Sequence, residues 1–581
     1  MGHVKNQAGE TDLDRDRFAS GCRVLPTPLA WKLMDKMNRR WQRKIDIYMG
    51  TDVQAAREWG QSPAIASSPF SPSTISSLPI SKTEPEIPST MRLQNIVTTA
   101  LATSVMAAPA IVPAEPAPDA APPNFLFITI DDLNDWVGAM GGHPQAQTPN
   151  IDRLAEQGVT FLNAHCPAPI CGPSRAALWT GRAPSTTGIY FHIADDRIMD
   201  NLPDGVEAAF LPDVLEDGGY RTLGAGKLFH QGDKAGVFDA YGPGFHFGPR
   251  ARYRLNFEPT WTGPRYTSTD WGAFPETDEQ LPDFAIREWS VGQLEAMAPD
   301  EAPFFLGVGL VRPHVPWYVP QKWFDLYDRD SLETPPYLPG DLNDVPAIAR
   351  ALQTLPGFPT TEWAQLAGEW QAIVEAYLAC TTFADAQVGL VLDALERSPF
   401  ADNTIVILTS DHGYHLGEKN RFAKMALWER STKMPLIIAG PGIPEGLRIE
   451  APVNLMDLYA TVLELAGVEP VTELESQSLV PLLHNPSGEH EDRYTVTTHG
   501  RNNHAVRTRH YRFIQYEDGS EELYDHRKDP WEHHNLASDP DQAETLARLR
   551  QLLPQDDAPL APDSHLNITP FLRDRSEAWR N

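Results

Sequence analysis

An α/β fold, with a mostly parallel central sheet flanked by helices and a smaller C-terminal antiparallel sheet plus helix, is what this sequence predicts. Continuous apolar runs such as Phe125 to Ile130 and Thr404 to Leu408 read as strands buried on both faces. These runs alternate with helical patterns, the longest over residues 363–396, whose apolar stripe passes through Tyr377, Cys380, Ala384, Val388 and Val391. After about residue 485 the texture shifts to short strand-like runs around the turn Glu517-Asp518-Gly519.

In order along the chain, residues 1–90 lack the composition of a core. A basic segment at 29–48 precedes a Ser/Pro-rich run from Gln61 to Thr90. The sequence then restarts: Met91-Arg92, an apolar run from Ile96 to Ala108 ending in small residues, and a Pro/Ala spacer to Pro123. That is the layout of a secretory leader, too short and too Thr-rich for a stable membrane span. The expectation is a secreted or periplasmic protein starting at Met91, with 1–90 a non-native or disordered extension. The alternative is a genuine extension with an internal apolar linker. Residues 124–485 then form the main domain and 486–581 a C-terminal subdomain and tail.

Within 124–485 the expected strands are Phe125–Ile130, Val159–Asn163, 221–225, Phe304–Leu310, 404–408 and Leu436–Ala439. A short helix follows Thr148-Pro149 and ends before Gly158. The C-terminal strands fall at 493–498, 505–509 and 511–516, with a helix from about 539 to 552.

A net charge of −30 argues against nonspecific nucleic-acid binding, and any anionic substrate needs a local basic pocket. Four cysteines, at 22, 166, 171 and 380, do not make a dense disulfide framework, and their connectivity is not read from sequence.

Charged and imidazole side chains recur just after the apolar runs. Asp131-Asp132 follow the first, Lys227 and His230 follow 221–225, His314 follows Phe304–Leu310, and Asp411-His412 follow the run from Thr404. In a parallel sheet these ends share one edge, where such sheets bind ligands. Three carboxylates gathered there require a cation, and an oxygen-rich set suits Ca²⁺ or Mg²⁺ better than Zn²⁺. Taken singly, each could equally cap a turn.

The segment Cys171-Gly172-Pro173-Ser174-Arg175 continues to Thr180-Gly181-Arg182. Pro173 suits a first helical turn and Gly181 an end. Cys171 then lies at a helix N-terminus, which favours an anion or a thiolate, with Arg175 one turn on. A buried packing cysteine is the plainer alternative, and Cys380 on its apolar stripe is read that way. His143, His165 and His415 are read as loop or packing residues, and His533-His534 as a solvated loop.

The Cys-x-Pro-Ser-Arg…Leu-x-Thr-Gly pattern resembles the sulfatase signature. Gly226-Lys227-x-x-His230, Arg312-Pro313-His314-x-Pro316 and Ser410-Asp411-His412-Gly413 with Lys424 are similar to the iduronate-2-sulfatase branch of the alkaline-phosphatase-like superfamily, from about Asn124 to Leu536. The resemblance implies that a formylglycine-generating enzyme oxidises Cys171 to formylglycine, whose hydrate is the nucleophile; a bridge to Cys166 would block that conversion, so Cys166 and Cys171 are expected unpaired. It implies calcium held by Asp131, Asp132, Asp411, His412 and residue 171. Lys227, His314 and Lys424 would bind the sulfated saccharide, with Arg175 neutralising sulfate. His314 would be the general acid, and His230 would help to deprotonate the second hydroxyl of the hydrate. Two alternatives accompany this reading: a phosphonate or phosphoester hydrolase of the same fold, and a non-catalytic binder of sulfated glycans. Loops at 231–285 and 318–362 are expected to set selectivity.

Overall fold

Every residue of the strand β1 (Asn124–Ile130) is buried, and its period of two serves two separate cores. Phe125 and Phe127 pack with Trp179, Ile407 and Leu458 on one face, whereas Leu126, Ile128 and Ile130 pack with Ile286, Val388 and Leu408 on the other. A strand with no polar face has to sit mid-sheet, and it does. This computed structural model describes residues 121–580 except 232–235, 253, 257–267, 300–301, 486–489 and 491. Cys22, residues 1–90 and the leader-like run from Met91 lie outside the described residues.

The other strands of the main sheet are β2 (Gly158–Phe161), β3 (Arg221–Gly226), β4 (Ala240–Gly244), β5 (Phe304–Leu310), β6 (Thr404–Ser410), β7 (Leu436–Ala439) and β8 (Leu447–Ile449). Their order is β8-β2-β7-β6-β1-β5-β3-β4. β1 is parallel to both β5 and β6, and β3 is parallel to β5. β7 alone runs against its neighbours. The helices α1 (Pro149–Glu156), α2 (Cys171–Thr180), α3 (Pro282–Ala296), α4 (Trp370–Arg397) and α5 (Asp457–Ala466) cover the two faces. α2 and α5 share the core of Phe127, while α1, α3 and α4 share that of Leu126.

Because β6, β1, β5 and β3 are adjacent and parallel, their carboxyl ends meet at one level. Ile130 is in register with both Leu310 and Ser410, and Gly226 with Gly309. The residues that follow therefore project from a single edge.

Four antiparallel strands, β9 (Tyr494–Thr498), β10 (His504–Thr508), β11 (Tyr511–Gln515) and β12 (Glu521–Asp525), form the second sheet in sequence order. Buried ion pairs bind it to the segment after β6. Arg512 on β11 donates to Leu427 O at 2.8 Å and pairs with Glu429 at 2.5 Å and Glu532 at 2.8 Å. Trp428 Nε1 donates to Glu522 at 2.8 Å. This clamp fixes the stretch that carries Lys424.

One expectation fails in detail. Residues 363–396 are not one helix: Thr361–Ala367 ends at Gly368, whose φ of 66° no β-carbon residue adopts easily, and α4 begins afresh at Trp370. Cys380 is buried on α4, as read. The stretches 231–285 and 318–362 are not continuous loops either, for they include strands Trp271–Ala273 and Trp317–Val319, which pair with one another.

Candidate active site

The carboxyl edge brings the nine other residues singled out above together around Cys171, the tenth. Cys171 is the first residue of α2, and Gly181 closes that helix in the left-handed region. Lys424 Nζ lies 2.9 Å from Cys171 Sγ and 2.5 Å from Asp132 Oδ1. His412 Nε2 is 3.3 Å from the same sulfur. One helical turn on, Arg175 reaches back to Asp411 at 3.0 Å and Asp131 at 3.2 Å, and also donates to the carbonyls of Lys227 and Leu228. Lys227 Nζ is 2.5 Å from Asp131 Oδ2. Three carboxylates thus meet three cations.

Local backbone explains these positions. Gly226 has a φ of 80°, and a β-carbon there would run into Gly309 O, so β3 can turn Lys227 inward only with glycine. Asp132 itself takes φ 62°, a conformation Asp tolerates better than most residues. It is pinned by its N–H donating to Asp411 Oδ1 at 3.2 Å and by its carbonyl accepting from Tyr377 at 2.9 Å.

Two of the three histidines of the edge are oriented by backbone carbonyls. His412 Nδ1 donates to Gly413 O at 2.9 Å, so Nε2 turns its lone pair toward Cys171, Asp132 and Asp411. His314 Nδ1 donates to Val315 O at 2.7 Å, leaving Nε2 3.9 Å from Asp132 Oδ2. Arg312 holds this loop from beneath, donating to the carbonyls of Tyr318, His314 and Phe247.

Burial dominates the electrostatics. It works to raise Asp131, yet Lys227, His314 and Arg175 hold that carboxyl well below its usual range. Asp132 is raised by burial, and by the charges of Asp131 and Asp411, against the pull of Lys424. Burial, then the lysine charges, push His230 down to about 2 and keep it neutral. Cys171 is pushed up to about 12 by burial despite Lys227 and Lys424. The thiol is therefore protonated, contrary to the thiolate that the helix dipole alone would favour. Cys166, Cys171 and Cys380 are all free.

The residues fit a hard divalent cation. Ligand atoms of Asp131, Asp132, Cys171 and His314 lie within 4.8 Å of one another, as do those of Cys171, Asp411 and His412. Asp132 Oδ2 is buried and accepts no hydrogen bond. In the expected set of Asp131, Asp132, Asp411, His412 and residue 171, three of the five are carboxylates, which favours Ca²⁺ or Mg²⁺ over Zn²⁺.

Two participants were not expected. His192 stacks on His230 with ring centroids 3.9 Å apart and an interplanar angle of 19°. Asp195 accepts from the backbone N–H groups of His230 and Gln231 at 3.2 and 2.5 Å. Neither stands in a motif, and only the fold brings residues 192–195 under the loop after β3. His143, His165 and His415 are buried away from Cys171, bonded to Glu333 O, Thr432 and Ser431 respectively. His534 is exposed in a loop.

A family model described as Sulfatase matches residues 123–468, and one described as N-sulphoglucosamine sulphohydrolase, C-terminal, matches residues 417–558. A sulfatase of Formosa agariphila is 47% identical over 457 residues, covering 77% of this chain and 90% of its own length. Iduronate 2-sulfatase of Homo sapiens is 30% identical over 392 residues, covering 63% and 69%. In fold, the chain is similar to a solved 2-O GAG sulfatase with a TM-score of 0.57 at 24% identity, over 79% of this chain and 94% of that one.

Proposed function

The chain belongs to the sulfatase family and is a sulfuric ester hydrolase, and on that premise we propose that it removes sulfate from a sulfated sugar, in the manner of an iduronate-2-sulfatase, through a formylglycine hydrate at position 171. The observation that carries this reading is the convergence of Lys424, His412 and three carboxylates on Cys171 at the N-terminus of α2. Cys171 Sγ stands in for an oxygen of the hydrated aldehyde that a formylglycine-generating enzyme would produce.

Asp131, Asp132, Asp411 and His412 would hold calcium beside that residue. The ion supplies Lewis-acid polarisation of a sulfate oxygen and of the hydrate's hydroxyl. Arg175, Lys227 and Lys424 already balance the three carboxylates, so the double charge of an ion is left for the ester sulfate and the ionised hydroxyl to neutralise. That arithmetic suits an anionic substrate.

In the reaction one hydroxyl of the hydrate attacks sulfur in line, and the bond from sulfur to the sugar oxygen breaks. His314 Nε2 delivers a proton to the leaving oxygen, while Lys227 and Lys424 steady the sulfate. Burial keeps His314 neutral in the free site, so the proton it delivers is the one given up by the attacking hydroxyl, and the step is balanced in protons. His230, held neutral, takes the proton of the second hydroxyl; the carbon–oxygen bond then breaks, sulfate departs and the aldehyde returns. The leader-like run from Met91 supports a secreted or periplasmic location.

The test follows by ion chromatography the inorganic sulfate released from 2-O-sulfated hexuronates, with the phosphonate released from phosphonate monoesters as the control. Sulfate release that disappears in Cys171→Ala is expected. Release of phosphonate in preference to sulfate would overturn the assignment, and binding of sulfated glycans without turnover would make the protein a lectin.

A further inference from the structure

Arg421 is only 2% exposed and has no anionic partner among the described residues. Its Nη2 donates to Lys424 O at 2.6 Å, but Nε and Nη1 are buried and donate to nothing. The other deeply buried arginines are satisfied: Arg175 by Asp131 and Asp411, Arg512 by Glu429 and Glu532, and Arg312 by three carbonyls. A lone buried guanidinium is costly to keep unless an anion arrives to meet it.

Its surroundings are equally short of partners. His499, 7% exposed, has both ring nitrogens buried and unbonded, and Nε2 of the fully buried His415 is unbonded too. Burial and the Arg421 charge hold His499 neutral at about 3. Tyr414 and Tyr516 are the titratable groups that act on the guanidinium, and both hydroxyls are engaged, with Phe422 O and Glu522. The cluster adjoins the reaction centre. Lys424, whose carbonyl Arg421 holds, reaches Cys171 with its ammonium. Met425 N–H and Thr498 N–H donate to Pro169 O and Pro167 O, so both sides of the cluster grip the segment leading into Cys171.

We propose that Arg421, flanked by His499, receives a second anionic group of the substrate, the carboxylate of a uronic acid, while the sulfate sits at residue 171. The inference rests on the sulfatase reading above and deepens it. One lysine side chain separates the two charges, a span comparable to a sugar ring, and the open N–H groups of a guanidinium suit a carboxylate.

The experiment compares a 2-O-sulfated hexuronate with its carboxyl methyl ester on the full, matured enzyme. Wild type should favour the acid on the order of 10- to 100-fold in kcat/KM, the worth of a charged hydrogen bond. Arg421→Met should bring the ratio close to one and Arg421→Lys should keep part of it. Arg421→Met should also raise the ligand-free Tm, because it removes an unpaired buried charge; a lower Tm together with an unchanged acid-to-ester ratio would mark the arginine as structural. Calorimetry of both ligands on Cys171→Ala separates this inference from its premise. Preference for the acid without turnover by wild type would support the Arg421 subsite and refute the sulfatase reading. Equal binding of acid and ester, or binding of neither, would overturn the subsite.

Discussion

Replacing Gly172 by alanine tests how the nucleophile's helix is set against the histidine pair. A β-carbon at 172 would lie 2.5 Å from His192 Nδ1 and 3.2 Å from its Cα, whereas ordinary contact begins near 3.4 Å, so the ring would have to retreat by about 0.9 Å. It cannot retreat alone. His192 is stacked on His230 at 3.9 Å, and its carbonyl accepts from His565 at 2.8 Å. Overpacking of this kind costs ~1–3 kcal/mol, and a displacement near 1 Å at a reacting group costs on the order of 10²-fold in rate. Gly172→Ala should therefore lose roughly 10- to 100-fold in kcat, with a Tm a few degrees lower. Because residue 172 also lies in the stretch that the proposed maturation enzyme would read, rates are to be normalised to formylglycine content measured by mass spectrometry. A normalised kcat within about twofold of wild type would refute the idea that the His192–His230 stack is braced against α2.

Two further perturbations follow from the same geometry. Glu429 is buried between Arg507 at 3.0 Å and Arg512 at 2.5 Å, so Glu429→Gln leaves those charges unmatched and should cost ~3–5 kcal/mol in chemical denaturation. Burial works to raise the Glu429 carboxyl, but Arg507, His526 and Arg512 hold it well below the ordinary 4.5. A depressed acid contributes stability above its unfolded value and loses it as pH falls, so wild-type Tm should drop on acidification below about 4.5 and the Gln variant should show a shallower acid limb; identical limbs would count against the network. Chelation with EGTA should abolish sulfate release and added calcium should restore it, while Asp132→Asn should remain inactive in calcium. Full activity in EGTA would contradict the metal assignment.

The central strands were readable because burial on both faces leaves a continuous apolar run, and Phe304–Leu310 was marked to the residue. β4 was not: Ala240-Tyr241-Gly242-Pro243-Gly244 has the composition of a turn and is a strand only because β3 offers it a partner. The break at Gly368 was hidden because the apolar periodicity carries across it. At the site, residues that directly follow strands were legible, since strand ends fix their place. His192 and Asp195 meet His230 through contacts made at long sequence separation, and in Arg421 the telling feature is a missing partner, which no local pattern encodes.

The central claim, that residue 171 is a formylglycine, is tested most directly by the mass of the tryptic peptide 154–175 from protein co-expressed with a formylglycine-generating enzyme. That peptide also contains Cys166, an internal thiol control. The account predicts that Cys166 is alkylated while residue 171 has lost sulfur and two hydrogens, gained oxygen and reacts with hydrazides. Two alkylated thiols in a preparation that releases sulfate would contradict it.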